Sequence, residues 1–412
     1  MLGTSSWFLA FGIHAVLFSW LVTIVLRESP QMVGVAQMSM LVPATLLMLV
    51  GGSLADHFGG RRIAVLAQSF AVAPPVALAV LVATGSLRIG AMLGYAVAMG
   101  LAQAFLTPAR DALLNDVAEA GIQRTVVRAS LVQFGAQIAG FLAASRADAL
   151  GPLPIFALQI AALGVGAFAL ARVRVDPHPV AEGTHWLRDM ATSVAEGART
   201  VFASREMRLV VLQNAAMGAC FMGSYIVTVP LLIRELYKGS ASDLGLVNAA
   251  NSLGLLTTVL ALMRFGDVRR RFRALLLSQA VGACILALIG AGLGFAATLA
   301  LICVWGMCGG LAMSMARTIM QEQAPPGQAG RVMAFFSFSL LGAGPLGALA
   351  CGYLVTWLGP QRALVVAALV MGVVVSAVCA WSLARRRDDR HLAATGYAHG
   401  DYRERARRRA GE

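Results

Sequence analysis

Residues 51–62 read "GGSLADHFGGRR", Gly51 to Arg62, and set one aspartate, four glycines and two arginines between two stretches without any formal charge. On one side lies Met32 to Leu54, on the other Ile63 to Ala83. Each is close to the roughly 20 apolar residues that carry a helix across a bilayer core of about 30 Å. In that solvent the backbone must satisfy its own hydrogen bonds, so a crossing of this composition is a helix. The stretch is therefore a tight polar turn between two crossings, and it sets the class: an all-α membrane protein.

The same pattern recurs outward in both directions. Trp7 to Leu26, Ile89 to Ala109, Ala129 to Ser145 and Leu153 to Ala171 complete a first set. Leu209 to Ile233, Leu244 to Met263, Val332 to Leu358 and Ala363 to Ala384 belong to a second. The uncharged run Ala274 to Ala316 is too long for one crossing and is expected to turn at Gly290, Gly292 and Gly294, which brings the expectation to twelve crossings. Composition agrees, with 58% hydrophobic and 13% charged residues, against about a quarter charged in soluble chains.

An even number of crossings puts both termini on one side. Of the 33 basic residues, all but Arg27, Arg88, Arg146, Arg234, Lys238 and Arg362 fall in connections on that side. Positive-inside bias then predicts cytoplasmic termini, and arginine-rich, nearly lysine-free usage points to a bacterial inner (cell) membrane. The net charge of +13 is a topology signal; no basic face on a soluble domain points to nucleic acid. The first crossing is followed by "RESPQM" and not by a small-residue cleavage site, so no cleaved leader is expected. The six cysteines all lie in second-half apolar segments without metal spacing and read as small buried hydrophobes; no metal or cofactor is expected.

The organisation expected is a first six-helix bundle over 1–172, a linker over 173–208 carrying an amphipathic surface helix, a second bundle over 209–384, and a disordered basic tail over 385–412. The tail arginines are suited to anionic headgroups. The halves repeat. "PARDALLNDVAEAGIQRTVVRASLVQFG" aligns without gaps with "MARTIMQEQAPPGQAGRVMAFFSFSLLG", placing Arg110 on Arg317, Arg124 on Arg331, Gly135 on Gly342 and Gly140 on Gly347. Asp56 has a weaker echo in Asp267. Duplicated six-helix halves with a site between them are a transporter architecture.

"GGSLADHFGGRR" resembles the loop signature of the major facilitator superfamily, matched by Gly52, Leu54, Ala55, Asp56, Gly59, Arg61 and Arg62, while His57 and Gly60 stand where a basic residue is usual. "TPARDALL" and "GAGPLGALACGYL" further resemble the drug and siderophore exporters that include the enterobactin exporter group. The resemblance covers residues 1 to about 384. It implies two pseudo-symmetric six-helix bundles working by alternating access as a monomer, a small-molecule substrate, and protons as coupling ion. It also implies that Asp56 meets the start of the eleventh helix, for which Arg331 is the partner expected. By pseudo-symmetry Asp267 should meet Arg124 or Arg128 at the start of the fifth. Plain topological anchoring remains the other reading of Arg61 and Arg62.

By the family's arrangement helices one, four, seven and ten line a central cavity. Candidate wall residues are Phe11, His14, Phe18, Gln103, Asn214, Met217, Phe221, Tyr225, Trp305 and Met313, with ordinary helix packing as the alternative for each. Aromatic and Met walls suit amphipathic ligands. In the eleventh helix Gly342, Gly344, Pro345 and Gly347 form a glycine-proline element expected to kink. All 20 acidic residues lie in connections, rims or tail, so His14 is the one mid-membrane candidate for proton relay, beside its reading as a packed neutral histidine. No phosphate-binding glycine loop, His-Glu metal motif or GxSxG turn points to an enzyme. Export of a small amphipathic molecule leads; uptake, lipid transport, and a non-transporting sensor or assembly partner stay open.

Overall fold

The computed structural model describes residues 2–117, 122–173, 186–266, 268–325 and 328–409. Among them there is no strand, and ten helical segments are long and apolar enough to cross a membrane. One of these, Ala329–Ser382, is folded at Gly359, whose φ of 77° is open to glycine and not to a branched residue, and so makes two crossings. Ile122–Ala144 supplies the remaining one, apolar over Ser130–Ala144. The twelve crossings expected are thus the twelve observed.

In chain order, spans one to six are Leu2–Val25, Pro30–Phe58, Gly60–Ala83, Ile89–Val117, Ile122–Ala144 and Pro152–Ala171. Spans seven to ten are Arg205–Glu235, Ala241–Phe265, Arg271–Gly290 and Phe295–Gln323. Spans eleven and twelve are the two limbs of Ala329–Arg409, a helix whose backbone continues to Arg409. Between the halves, Trp186–Ala203 forms a surface helix. The turn expected near Gly290–Gly294 is present, with Gly292 at φ 79°.

Local chemistry starts spans two and eight. Ser29 caps span two from its side chain to the Met32 amide, with Pro30 in the first turn, where a missing N–H costs nothing. Ser240 and Asp243 form a capping box at span eight. In the opening stretch, spans two and three are separated by Gly59 alone, at φ 88°. Gly60 then packs against span four, where a β-carbon would lie 2.7 Å from the Ala109 carbonyl oxygen.

The pseudo-twofold relation shows in backbone approaches. A β-carbon on Gly140 would lie 3.0 Å from the Cα of Gly12, and one on Gly347 would lie 2.5 Å from the Cα of Ala219. Both pairs are the same two positions of the repeat, joining span one to five and span seven to eleven. Pro345 sits inside span eleven without breaking its helix. The outer surface is apolar, with Leu66, Phe265, Trp357 and Leu369 exposed, as a hydrocarbon solvent permits. The cysteines are free; Cys351 is buried as expected, whereas Cys284 lies on that outer surface.

Candidate functional site

The two halves enclose a cavity of about 340 Å³. Its wall includes Phe11, His14 and Phe18 of span one, Gln37, Met40 and Thr45 of span two, Gln103 of span four and Gln137 of span five. The second half contributes Met222, Tyr225 and Ile226 of span seven and Asn248, Asn251 and Ser252 of span eight. Among the described residues no Asp, Glu, Lys or Arg lines it. Span seven reaches the cavity through two wide π turns, Met217–Met222 and Ser224–Thr228, each of which inserts an extra residue and re-aims the side chains around it.

Five of the ten wall residues expected from sequence meet here: Phe11, His14, Phe18, Gln103 and Tyr225. The other five do not line this cavity. Asn214 is buried, donating to the Phe336 carbonyl (3.0 Å) and Ser339 Oγ (2.8 Å) to tie span seven to eleven. Phe221 and Trp305 stack edge to face behind Tyr225, and Met217 and Met313 are likewise absent from the wall. Of the wall amides the sequence reading missed Gln37, while Gln137, Asn248 and Asn251 read there equally as interhelical hydrogen-bonders, because spans two, five and eight are placed behind the wall in a scheme that gives it to spans one, four, seven and ten.

His14 is buried within a hydrogen-bonded chain. Gln159 Nε2 donates to the Tyr95 hydroxyl (3.1 Å), and that hydroxyl stands 2.9 Å from His14 Nδ1. Having accepted from Gln159, Tyr95 Oη can donate to Nδ1, which leaves the Nε2–H to face Met40 Sδ at 3.0 Å. The arrangement is that of a neutral imidazole. Tyr225 Oη donates to Asn248 Oδ1 (2.8 Å), and Gln37 reaches across the halves to the Ile226 carbonyl (3.2 Å).

At the end of the bundle remote from the termini, the far end, two seams close the halves. A β-carbon on Gly34 would lie 2.8 Å from the Ala348 carbonyl oxygen and 3.3 Å from the Gly352 Cα; one on Gly245 would lie 2.9 Å from the Phe141 oxygen and 3.3 Å from the Ser145 Cα. Phe141 and Ser145 are the repeat partners of Ala348 and Gly352, and Gly34 and Gly245 stand on the same offset as Asp56 and Asp267. Charges at helix ends add to the closure. Asp148 accepts from Trp20 Nε1 (2.9 Å) and from the Ala241 amide that opens span eight (2.6 Å). Arg234 donates to the Glu28 carbonyl (2.8 Å) beyond the end of span one while pairing with Glu235.

At the terminal end Arg331 pairs with Glu196 of the surface helix. A β-carbon on Gly197 would lie 2.8 Å from the Arg331 carbonyl oxygen, Val201 is wholly buried, and Phe202 meets Phe335 edge to face. The surface helix is thus fastened to the second half. Asp267 lies outside the described residues, as do the side chains of Asp56, Arg124 and Arg128. Arg61 donates to the Ala171 carbonyl, capping span six, and Arg62 is exposed. Asp111 feels the charges of Arg110 and, across the halves, Arg317.

The sequence matches the Major Facilitator Superfamily profile over residues 1–348. The chain belongs to the major facilitator superfamily. This facilitator is similar to the solved nucleoside transporter NupG at 14% identity, over 92% of this chain and 98% of that one, with a TM-score of 0.63. It is similar to the POT family transporter PepTSo at 11%, over 94% and 97%, with a TM-score of 0.72. With the human organic anion transporter MFSD10 (TETRAN) it shares 17%, over 92% and 97%, at 0.64. At these identities the likeness shows the facilitator fold alone. A search of curated proteins returns no match.

Proposed function

We propose that this membrane transporter carries a small amphipathic organic molecule, such as a drug, secondary metabolite or siderophore, out of the cytoplasm by proton antiport. The observation that supports the substrate class is the uncharged wall, which offers rings, thioethers and amides and no fixed charge to pair with an ionised ligand. Rings and Met adapt in shape, while a few amides orient a polar edge. The reading takes the terminal end as cytoplasmic, from the arginine distribution, and the closed far end as the outer gate. Export rests on the resemblance of "TPARDALL" and "GAGPLGALACGYL" to the exporter branch, and His14 is the coupling group proposed because, tyrosine aside, it is the one ionisable side chain among the described residues that lines the cavity.

The test is dye movement in everted membrane vesicles with an imposed pH gradient, using neutral, cationic and anionic fluorescent dyes. Accumulation of neutral and weakly charged aromatic dyes only when the interior is acidified supports the reading. Equal retention with and without the protein overturns it. A second reading, uptake of a neutral heteroaromatic solute, draws on the amide belt of Gln37, Gln103, Gln137, Asn248 and Asn251; movement in the reverse sense would select it.

A further inference from the structure

A second cavity, of about 660 Å³, lies at the terminal end within the first half and shares no wall residue with the central one. It is framed by the start of span one, the ends of spans four and six, and Gln133 of span five. Leu2, Val165 and Phe168 of its wall are well exposed on the outer surface, so it opens to that surface.

Two arginines enter it, and each has one face covered by a ring: Arg110 lies 4.4 Å from the Phe8 centroid and Arg172 4.6 Å from that of Phe168. Stacking occupies a guanidinium's faces and leaves its N–H edge free, the edge that grips phosphate in two parallel hydrogen bonds. Arg110 Nη1 is buried and has no partner among the described residues. A buried donor left unmatched is costly, which makes an acceptor from outside the chain favourable here. Among the described wall residues Asp111 is the one carboxylate against Arg110 and Arg172, so that part of the wall keeps a positive balance. Arg61 adds a further charge beside it at the Ala171 carbonyl.

We propose that this cavity holds the phosphate head of an anionic phospholipid, gripped by Arg110 and Arg172, with the acyl chains running down the exposed apolar face at Val165 and Phe168. A lipid is favoured over a free anion because the pocket opens to the apolar flank of the bundle, at the level where spans begin and end and headgroups therefore lie. The charges alone would also attract inorganic phosphate, and the test separates the two.

Native mass spectrometry of the full chain in neutral detergent would measure retention of phosphatidylglycerol, phosphatidylcholine and inorganic phosphate. The expected result is one retained phosphatidylglycerol, preferred over phosphatidylcholine by about tenfold or more. Arg110→Gln and Arg172→Gln should each abolish that preference. Arg62→Gln, an exposed basic residue at the same end and outside the cavity, should keep it. Arg172 is exposed, so its variant carries the test if Arg110→Gln fails to fold. Equal retention of the two lipids, equal losses in all three variants, or saturable phosphate binding without lipid retention would each overturn the proposal. None of these readouts depends on transport.

Discussion

Removing the Tyr95 hydroxyl takes the partner from His14 Nδ1 and Gln159 Nε2 together, within a buried cluster. Tyr95→Phe should therefore lower stability by about 1–3 kcal/mol, read as thermal denaturation in detergent, although its ring remains packed. His14→Gln answers a different question. If His14 couples protons to cargo, the variant should flatten the pH dependence of vesicle transport between about pH 5 and 8; an unaltered profile removes it from coupling. At this scale the sequence exposes only half of the arrangement. His14 stands out because it is titratable within an apolar run, but Tyr95 is 81 positions away and Gln159 farther still, and hydrogen bonds between separate spans leave no periodic trace. Asn214 illustrates the converse: a polar residue on a cavity-lining span that proves to be an interhelical tie.

The far-end seams are contacts of whole helices, and each hangs on one missing side chain. Gly34→Val puts a branched carbon where even a β-carbon falls 2.8 Å from the Ala348 oxygen, so spans two and eleven must part. In a chain freed of its six cysteines, Thr23→Cys is buried beneath this closure and should react slowly with an impermeant maleimide; adding Gly34→Val should speed it several-fold. A rate left unchanged would deny the seam its role. Asp148→Ala removes the acceptor of Trp20 and Ala241 and should cost about 1–3 kcal/mol while loosening the same end. Spans and their turns are legible because apolar length and glycine position declare them. Gly34 and Gly245 are not, since a glycine in an apolar run has the same appearance whether it faces lipid, a helix or nothing. The π turns of span seven are equally silent in sequence.

Across the molecule, the surface helix changes how the terminal-end gate is understood. The arginine expected to meet Asp56 is engaged by Glu196, from the segment that joins the halves. Both side chains are roughly half exposed, so Arg331→Glu should cost about 1 kcal/mol or less in stability. Its effect belongs in exchange rate, and pairing it with Glu196→Arg should restore that rate if the contact acts as a fastening; a double variant as slow as the single one would reject this. The duplication itself is readable from residues, because the offset joining Gly140 to Gly347 also relates their contacts, Gly12 and Ala219. The uncharged wall has an electrical corollary. Moving one elementary charge through a potential of 100 mV is worth about 2.3 kcal/mol, and the empty passage has none of its own to move. The wall itself should therefore add nothing to the voltage dependence of either stroke, and any voltage sensitivity measured under a potassium diffusion potential reports the charge of the passenger and of the proton travelling against it.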